Sequence, residues 1–281
     1  MFLPVVTKDP AAVAAATQAA YLAMFPQADP KFIPRIFGWA DQCFNGGLAG
    51  YQPIDARYHD FEHTLQGTLC MARLLQGRHA AKAKPALPQR LVELGLIGIL
   101  FHDTGYLKTT DDTEGTGAKY TVIHVNRSAE FAAKFLGENN FLPAEISSVQ
   151  SMIRCTGVDA ALTGIAFHDE AEKIGGHILG TADLLGQMAA DDYVEKLPVL
   201  FAEFAEAAKF SGPKATMVNQ FKSAEELRQK TAGFWDNYVK RKLEQNFSGQ
   251  FRYLNQPYPD GPNWYLDRIE ANIAELRRQL A

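Results

Sequence analysis

The stretch Leu94–Lys108, LGLIGILFHDTGYLK, decides how the rest of the chain is read. An uncharged apolar run ends on His102 and Asp103, and Gly105 then breaks the helix that the run predicts. A run of that length reads as a core helix, so the imidazole and the carboxylate stand at its inner C-terminal end. Charge placed there is costly unless something compensates it. A hydrogen-bonded core pair is one compensation and a metal ion is the other.

The company the pair keeps bears on that choice. Upstream, RYHDFEHTLQGTLCMARLL carries His59 and His63 four residues apart and so on one helical face. Downstream, HILGTADLLGQMA sets Asp183 among Ile178, Leu179, Leu184 and Leu185, where a carboxylate needs a partner. Gly180 and Gly186 on that helix admit either a substrate or a neighbouring helix close to the backbone. His177 falls on a different face from Asp183 and reads as structural or supporting.

Taken together, His63, His102, Asp103 and Asp183 follow the order H…HD…D, which resembles the HD superfamily of metal-dependent phosphohydrolases. The segment YHDFEH is similar to the YHNxxH element of its cyclic-nucleotide phosphodiesterase branch, and HVNRSAEFAAKFL is similar to the HExRSAE element of small HD phosphohydrolases. The likeness runs from about Tyr58 to Phe204. It implies an all-α, multi-helix bundle of the HD-domain type in a single domain, with a core over 55–210 and helical additions over 1–54 and 211–281.

Composition sets outer bounds. With 47% hydrophobic and 21% charged residues over 281 positions, the chain can bury a substantial core. A net charge of -4 speaks against a general grip on nucleic acid, which needs a basic face. The three cysteines, Cys43, Cys70 and Cys155, are odd in number and lack metal-site spacing, so they read as reduced core thiols of a cytoplasmic protein. Neither a signal peptide nor a membrane span is expected.

Along the chain, Asp9-Pro10 predicts a helix start and the helix ends near Pro26; a second runs from about Pro30 to Phe44. The helix beginning near Asp60 carries His63 at its start. The basic turn RHAAKAKPALP, with a solvated His79, leads to the helix that opens at Gln89. The segment TTDDTEGTGAK, spanning 109–119, is either a plain exposed loop or a lid. Further helices are predicted over Val122–Gly137, Pro143–Cys155 (closed by IRCTGVD), Tyr193–Phe210, Met217 to about Phe247 and Trp264–Leu280. A second FHD at Phe167–Asp169 follows no long apolar helix, and Asp169 there reads as a cap for EAEKIGG.

The resemblance implies roles as well. His63, His102, Asp103 and Asp183 would hold a divalent manganese, magnesium, iron or zinc ion, with Asp103 also serving catalysis. Water activated by the metal would attack a phosphomonoester or phosphodiester, of a nucleotide or cyclic nucleotide, while His59 serves as general acid. Asp60 either orients His59 or caps the helix. Lys108 and His124 would help to bind the substrate phosphate or, for His124, a second metal. Arg127 is either a further phosphate ligand or an ion-pair partner. Val125 stands where a glutamate is expected, which weakens the case for a full two-metal site, and Arg154, Cys155 and Thr156 stand where such proteins often place further histidines, which favours one well-bound ion. The other readings are a di-iron oxygenase on the same scaffold, which needs more histidines, and a non-catalytic nucleotide-binding module. The expected partner is a small phosphate ester, not nucleic acid or membrane.

Overall fold

The computed structural model describes residues 2–157, 162–212 and 215–280, and among them every regular element is helical. The helices are α1 (Pro10–Met24), α2 (Phe32–Asn45), α3 (Phe61–Ala80), α4 (Gln89–Phe101), α5 (His124–Glu138), α6 (Pro143–Ile153), α7 (Glu170–Met188), α8 (Tyr193–Ser211), α9 (Thr216–Asn219), α10 (Ala224–Phe234) and α11 (Trp264–Leu280). A lone antiparallel bridge joins Tyr51 to Thr109. None of the described helices is long and apolar enough to cross a membrane. The Val158–Asp159 end of the predicted IRCTGVD turn lies outside the described residues.

Helix α4 is buried at every position from Val92 to its end at Phe101, and packs against α3, α6 and α7. Ile97, Ile99, Leu100 and Phe101 are completely enclosed. Each such side chain contributes roughly 1.5–3 kcal/mol by leaving water, which fixes the helix at the centre and carries His102 inward with it. Helix α3 lies along α7, and the two approach closely at Gly186. A Cβ there would stand 2.7 Å from the backbone of Gln66 and Gly67. The glycines of α7 thus admit neighbours: Gly186 takes α3, and Gly180 takes the ring of Phe247 and the carbonyl of Cys155.

The outer elements dock on this centre. Asp9 caps α1 through the amides of Ala11 and Ala12, and α1 packs on α3. Arg73 of α3 donates to the Leu3 carbonyl at 2.6 Å and to the Tyr265 hydroxyl at 3.1 Å, tying both ends of the chain to the same helix. The single long helix expected from Met217 to Phe247 is instead broken. Ser223 caps α10 through the Glu226 amide, while Glu226 accepts from the Lys222 amide, so a new helix starts where a continuous one was predicted. Beyond α10 the backbone widens into π-helical turns at Trp235–Val239 and Lys242–Asn246. Trp235, Val239, Leu243 and Phe247 are all buried. A stripe repeating every four residues drifts around a 3.6-residue helix, and wider turns hold it on one line.

All three cysteines are free and buried. Burial pushes the Cys43 and Cys155 thiols up to about 12, which makes them inert packing groups.

Candidate metal centre

The site is assembled at helix ends. His102 is the C-cap of α4, and its Nδ1–H donates to the Ile99 carbonyl at 2.7 Å, filling one of the acceptors that a helix end leaves open. That bond engages Nδ1 and leaves Nε2 facing inward, to carry a proton or to meet a cation. Asp60 caps α3 by accepting from the His63 amide at 2.9 Å, so of the two roles considered for Asp60 the cap is the one that the structure displays. His63 then projects from the first turn of α3, and Asp183 from the middle of α7.

These side chains converge. The Nε2 atoms of His63 and His102 stand 3.3 and 3.2 Å from Asp103 Oδ2, and each stands 3.5 Å from Asp183 Oδ1. His63, His102 and Asp103 offer ligand atoms that all lie within 4.8 Å of one another. His102 and Asp103 are each 1% exposed, yet His102 Nε2 and Asp103 Oδ2 have no hydrogen-bond partner among the described residues. They lie near each other without the angle of a hydrogen bond, as groups do that aim at a common point. Two imidazole nitrogens and two carboxylates form a donor set suited to a divalent first-row metal or magnesium.

The electrostatics are those of a site built for positive charge. Burial alone lowers His63, but Asp103 and Asp183 outweigh it and push the imidazole up to about 9. Burial raises Asp103 and Asp183 as well, but for both the facing histidines prevail and hold the carboxyls well below the usual range. Without a cation the cluster keeps protons in its place.

Around it sits a second ring of groups. His59 Nδ1 lies 2.6 Å from Glu203 Oε2, and the other Glu203 oxygen accepts from the Tyr58 amide at 2.7 Å. His124 donates Nδ1–H to the Thr121 carbonyl at 2.6 Å and turns Nε2 toward Asp103 Oδ1 at 3.7 Å. Burial holds His124 below its ordinary value. The ring of Tyr106 stacks on both imidazoles, at 4.7 Å from His59 and 4.8 Å from His124, each inclined by 19°.

Helix α5 supplies the grip on the turn after Asp103. Ser128 accepts from the Gly105 amide at 2.8 Å, while Arg127 donates to the carbonyls of Gly105 and Leu107 at 2.7 and 2.6 Å. A Cβ on Gly105 would stand 2.0 Å from the His124 carbonyl oxygen, so only glycine lets α5 come this close. Arg127, for which phosphate and ion-pair roles were both considered, here directs these two donors to backbone. Lys108, expected near phosphate, is buried against Asp55 at 2.8 Å and donates to the Gly115 carbonyl at 2.8 Å.

The 109–119 segment is strapped down on several sides. Glu206 of α8 accepts from the Thr116 amide and hydroxyl, Asp55 accepts from the Gly117 amide at 2.6 Å, and Asp112 engages Lys119 and Tyr120. Asp112 is thereby taken up within the strap.

His177 lies apart, with Nδ1 3.1 Å from the Ser248 hydroxyl and its ring against Phe247; burial lowers it to about 4. At the second FHD, Asp169 caps α7 through the Glu172 amide at 2.8 Å and His168 pairs with Glu172 at 2.6 Å. Glu203 was missed by sequence reasoning. Its signal was present: a carboxylate in LFAEFA on the amphipathic helix α8 needs a partner for the same reason as Asp183.

Residues 109–273 match the model of a protein family described as Npun_R2479-like. No curated protein and no solved structure matches the chain. The matched span contains His124, Asp183 and Glu203 and begins after His59, His63, His102 and Asp103.

Proposed function

We propose that this chain, which belongs to the Npun_R2479-like family, is a metal-dependent phosphohydrolase of the HD-domain type acting on a phosphomonoester or phosphodiester. His63, His102, Asp103 and Asp183 would hold the divalent cation. The observation that carries the reading is the pair of buried, unpartnered atoms, His102 Nε2 and Asp103 Oδ2, facing each other beside a second imidazole and a second carboxylate. Leaving two such groups unsatisfied costs about 1–3 kcal/mol each, and a shared cation removes that cost.

When bound, the cation supplies a Lewis acid that draws charge from a phosphoryl oxygen and acidifies water. The protein's own groups do the rest. His59, with Nδ1–H donated to Glu203, keeps Nε2 for a proton that goes to the departing alkoxide oxygen. Glu203 holds the ring in that tautomer and orientation, and the Tyr58 amide holds Glu203. Tyr106 packs flat on His59 and limits its tilt. Asp103 presents Oδ2 to the two ligand histidines and Oδ1 toward His124, so His124 would be the residue to help hold a second ion if one binds.

A di-iron oxygenase needs further imidazoles. The remaining histidines, His79, His168 and His177, lie against Phe25, Glu172 and Ser248. The test is metal analysis of the purified protein together with hydrolysis of a panel of phosphomonoesters and phosphodiesters. A bound first-row metal or magnesium and metal-stimulated release of alcohol are expected. Metal-loaded protein without turnover on the panel would leave a binding module instead.

A further inference from the structure

Of the four side chains that converge, Asp183 is the one that stands in the middle of a helix, and the groups that hold its carboxylate take no part in the proposed chemistry. Gln187, one turn further along α7, donates from Nε2 to the Asp183 carbonyl at 3.1 Å and to Asp183 Oδ1 at 3.3 Å. Its other end is held in turn, since the Tyr58 hydroxyl donates to Gln187 Oε1 at 3.0 Å. Turned over, the carboxamide would set its oxygen against a carboxylate and a carbonyl, both acceptors, so its neighbours decide its orientation. Burial pushes the Tyr58 phenol well above its ordinary range, which keeps it protonated and a donor. Tyr58 is 3% exposed and Asp183 8%, so water competes little for these bonds.

The oxygen that Gln187 takes is the one that faces the imidazoles. Asp183 Oδ1 stands 3.5 Å from Nε2 of both His63 and His102. A carboxylate oxygen has two lone pairs, so it can accept from the amide and still offer one to a cation between the imidazoles. Left free, the aspartate could rotate and present either oxygen or neither. The frame around it is stiff. Gly186, between the two residues, lets α7 rest on the backbone of Gln66 and Gly67, where a Cβ would stand 2.7 Å away. Tyr58 also reaches the other half of the site, because its backbone amide donates to Glu203 Oε1 at 2.7 Å and Glu203 pairs with His59.

We propose that Gln187 is a positioning residue that aims Asp183 Oδ1 at the cation, and that the Tyr58 hydroxyl holds Gln187 to that task. The inference rests on the metal-binding part of the reading above and extends it to a donor pair outside the four ligands, as carboxylates that bind a metal are themselves hydrogen-bonded.

The test is titration of the metal-free full chain with cobalt(II), which takes nitrogen and oxygen ligands and reports their arrangement in its visible bands. Affinity comes from competition with a chelating indicator, and the melting temperature of the metal-free protein is read alongside. Gln187→Met keeps the length of the side chain without its polar end; it is expected to weaken cobalt binding about tenfold and to alter the bands. Tyr58→Phe removes the hydroxyl alone and keeps the amide that donates to Glu203, so it weakens binding in the same direction by less. The double variant binds as Gln187→Met does, because the hydroxyl acts only through the carboxamide. Wild-type affinity and bands in Gln187→Met overturn the proposal. So does a loss of affinity with unchanged bands that follows a lowered melting temperature, which marks general loosening, and so does a double variant weaker than Gln187→Met by the full effect of Tyr58→Phe. Each of these leaves the metal site standing. Failure of the wild-type chain to bind cobalt overturns the metal reading and this one with it.

Discussion

The tripeptide Phe-His-Asp occurs twice, at 101–103 and at 167–169, and the two copies do opposite things. In the first, an apolar helix ends on the histidine and carries both polar residues into the core, where His102 and Asp103 are each 1% exposed. In the second, the helix begins after the aspartate; Asp169 is spent on capping α7 and the side chain of His168 is 52% exposed. The likeness extends one step further, since His59 and His168 each place Nδ1 2.6 Å from a buried glutamate, Glu203 and Glu172. Only the first of these pairs borders the four converging side chains. The side of the helix on which a polar pair falls, before it or after it, decides whether the pair becomes a site or a cap.

The sharpest way to break this comparison is Asp103→Asn against Asp169→Asn. The first is expected to bring metal content and hydrolysis down to background, and the second to leave both intact, as read by elemental analysis and a phosphate-release assay. Equal metal loss in both would erase the distinction. Next comes Glu203→Gln against Glu172→Gln. Loss of Glu203 is expected to lower kcat about a hundredfold with metal content unchanged, because His59 loses its orientation. Loss of Glu172, which accepts from Ser148 as well as pairing with His168, lowers the melting temperature and not the rate.

A smaller effect concerns pH. The ordinary value of 6.5 for His63 is raised to about 9 in the metal-free fold, so its contribution to stability is fully present below 6.5 and is lost as pH rises through 9. The metal-free protein therefore melts at lower temperature as pH climbs across that window. Metal affinity rises across it, by about tenfold per pH unit for each proton released, and titrations in buffers of different ionisation enthalpy count those protons. His168→Ala should change neither curve. The smallest expected effect is on the cap, where Asp169→Ala costs about 1 kcal/mol in denaturant unfolding and spares metal binding.

What could be read from the sequence follows the same logic. The position of α4, the inward placement of His102 and Asp103 and the capping role of Asp169 all come from apolar runs and their ends, which are local signals. The break before α10 was local too, in the Ser223 and Glu226 pair, but charged periodicity hid it. The backbone contacts of Lys108 and Arg127 were not legible, because they depend on which carbonyls a distant segment brings within reach. Glu203 lay between these cases: its burial was readable, its partner 144 residues away was not.

Helix α8 offers one more lesson. Glu203 clasps His59, and Glu206, one turn later, clasps Thr116 in the strapped 109–119 segment. A single helix thus has one hand on His59, the proposed proton donor, and the other on a stretch of surface chain. If the proposed function holds, a pull on that stretch would re-aim His59 without moving any of the four side chains proposed to hold the cation.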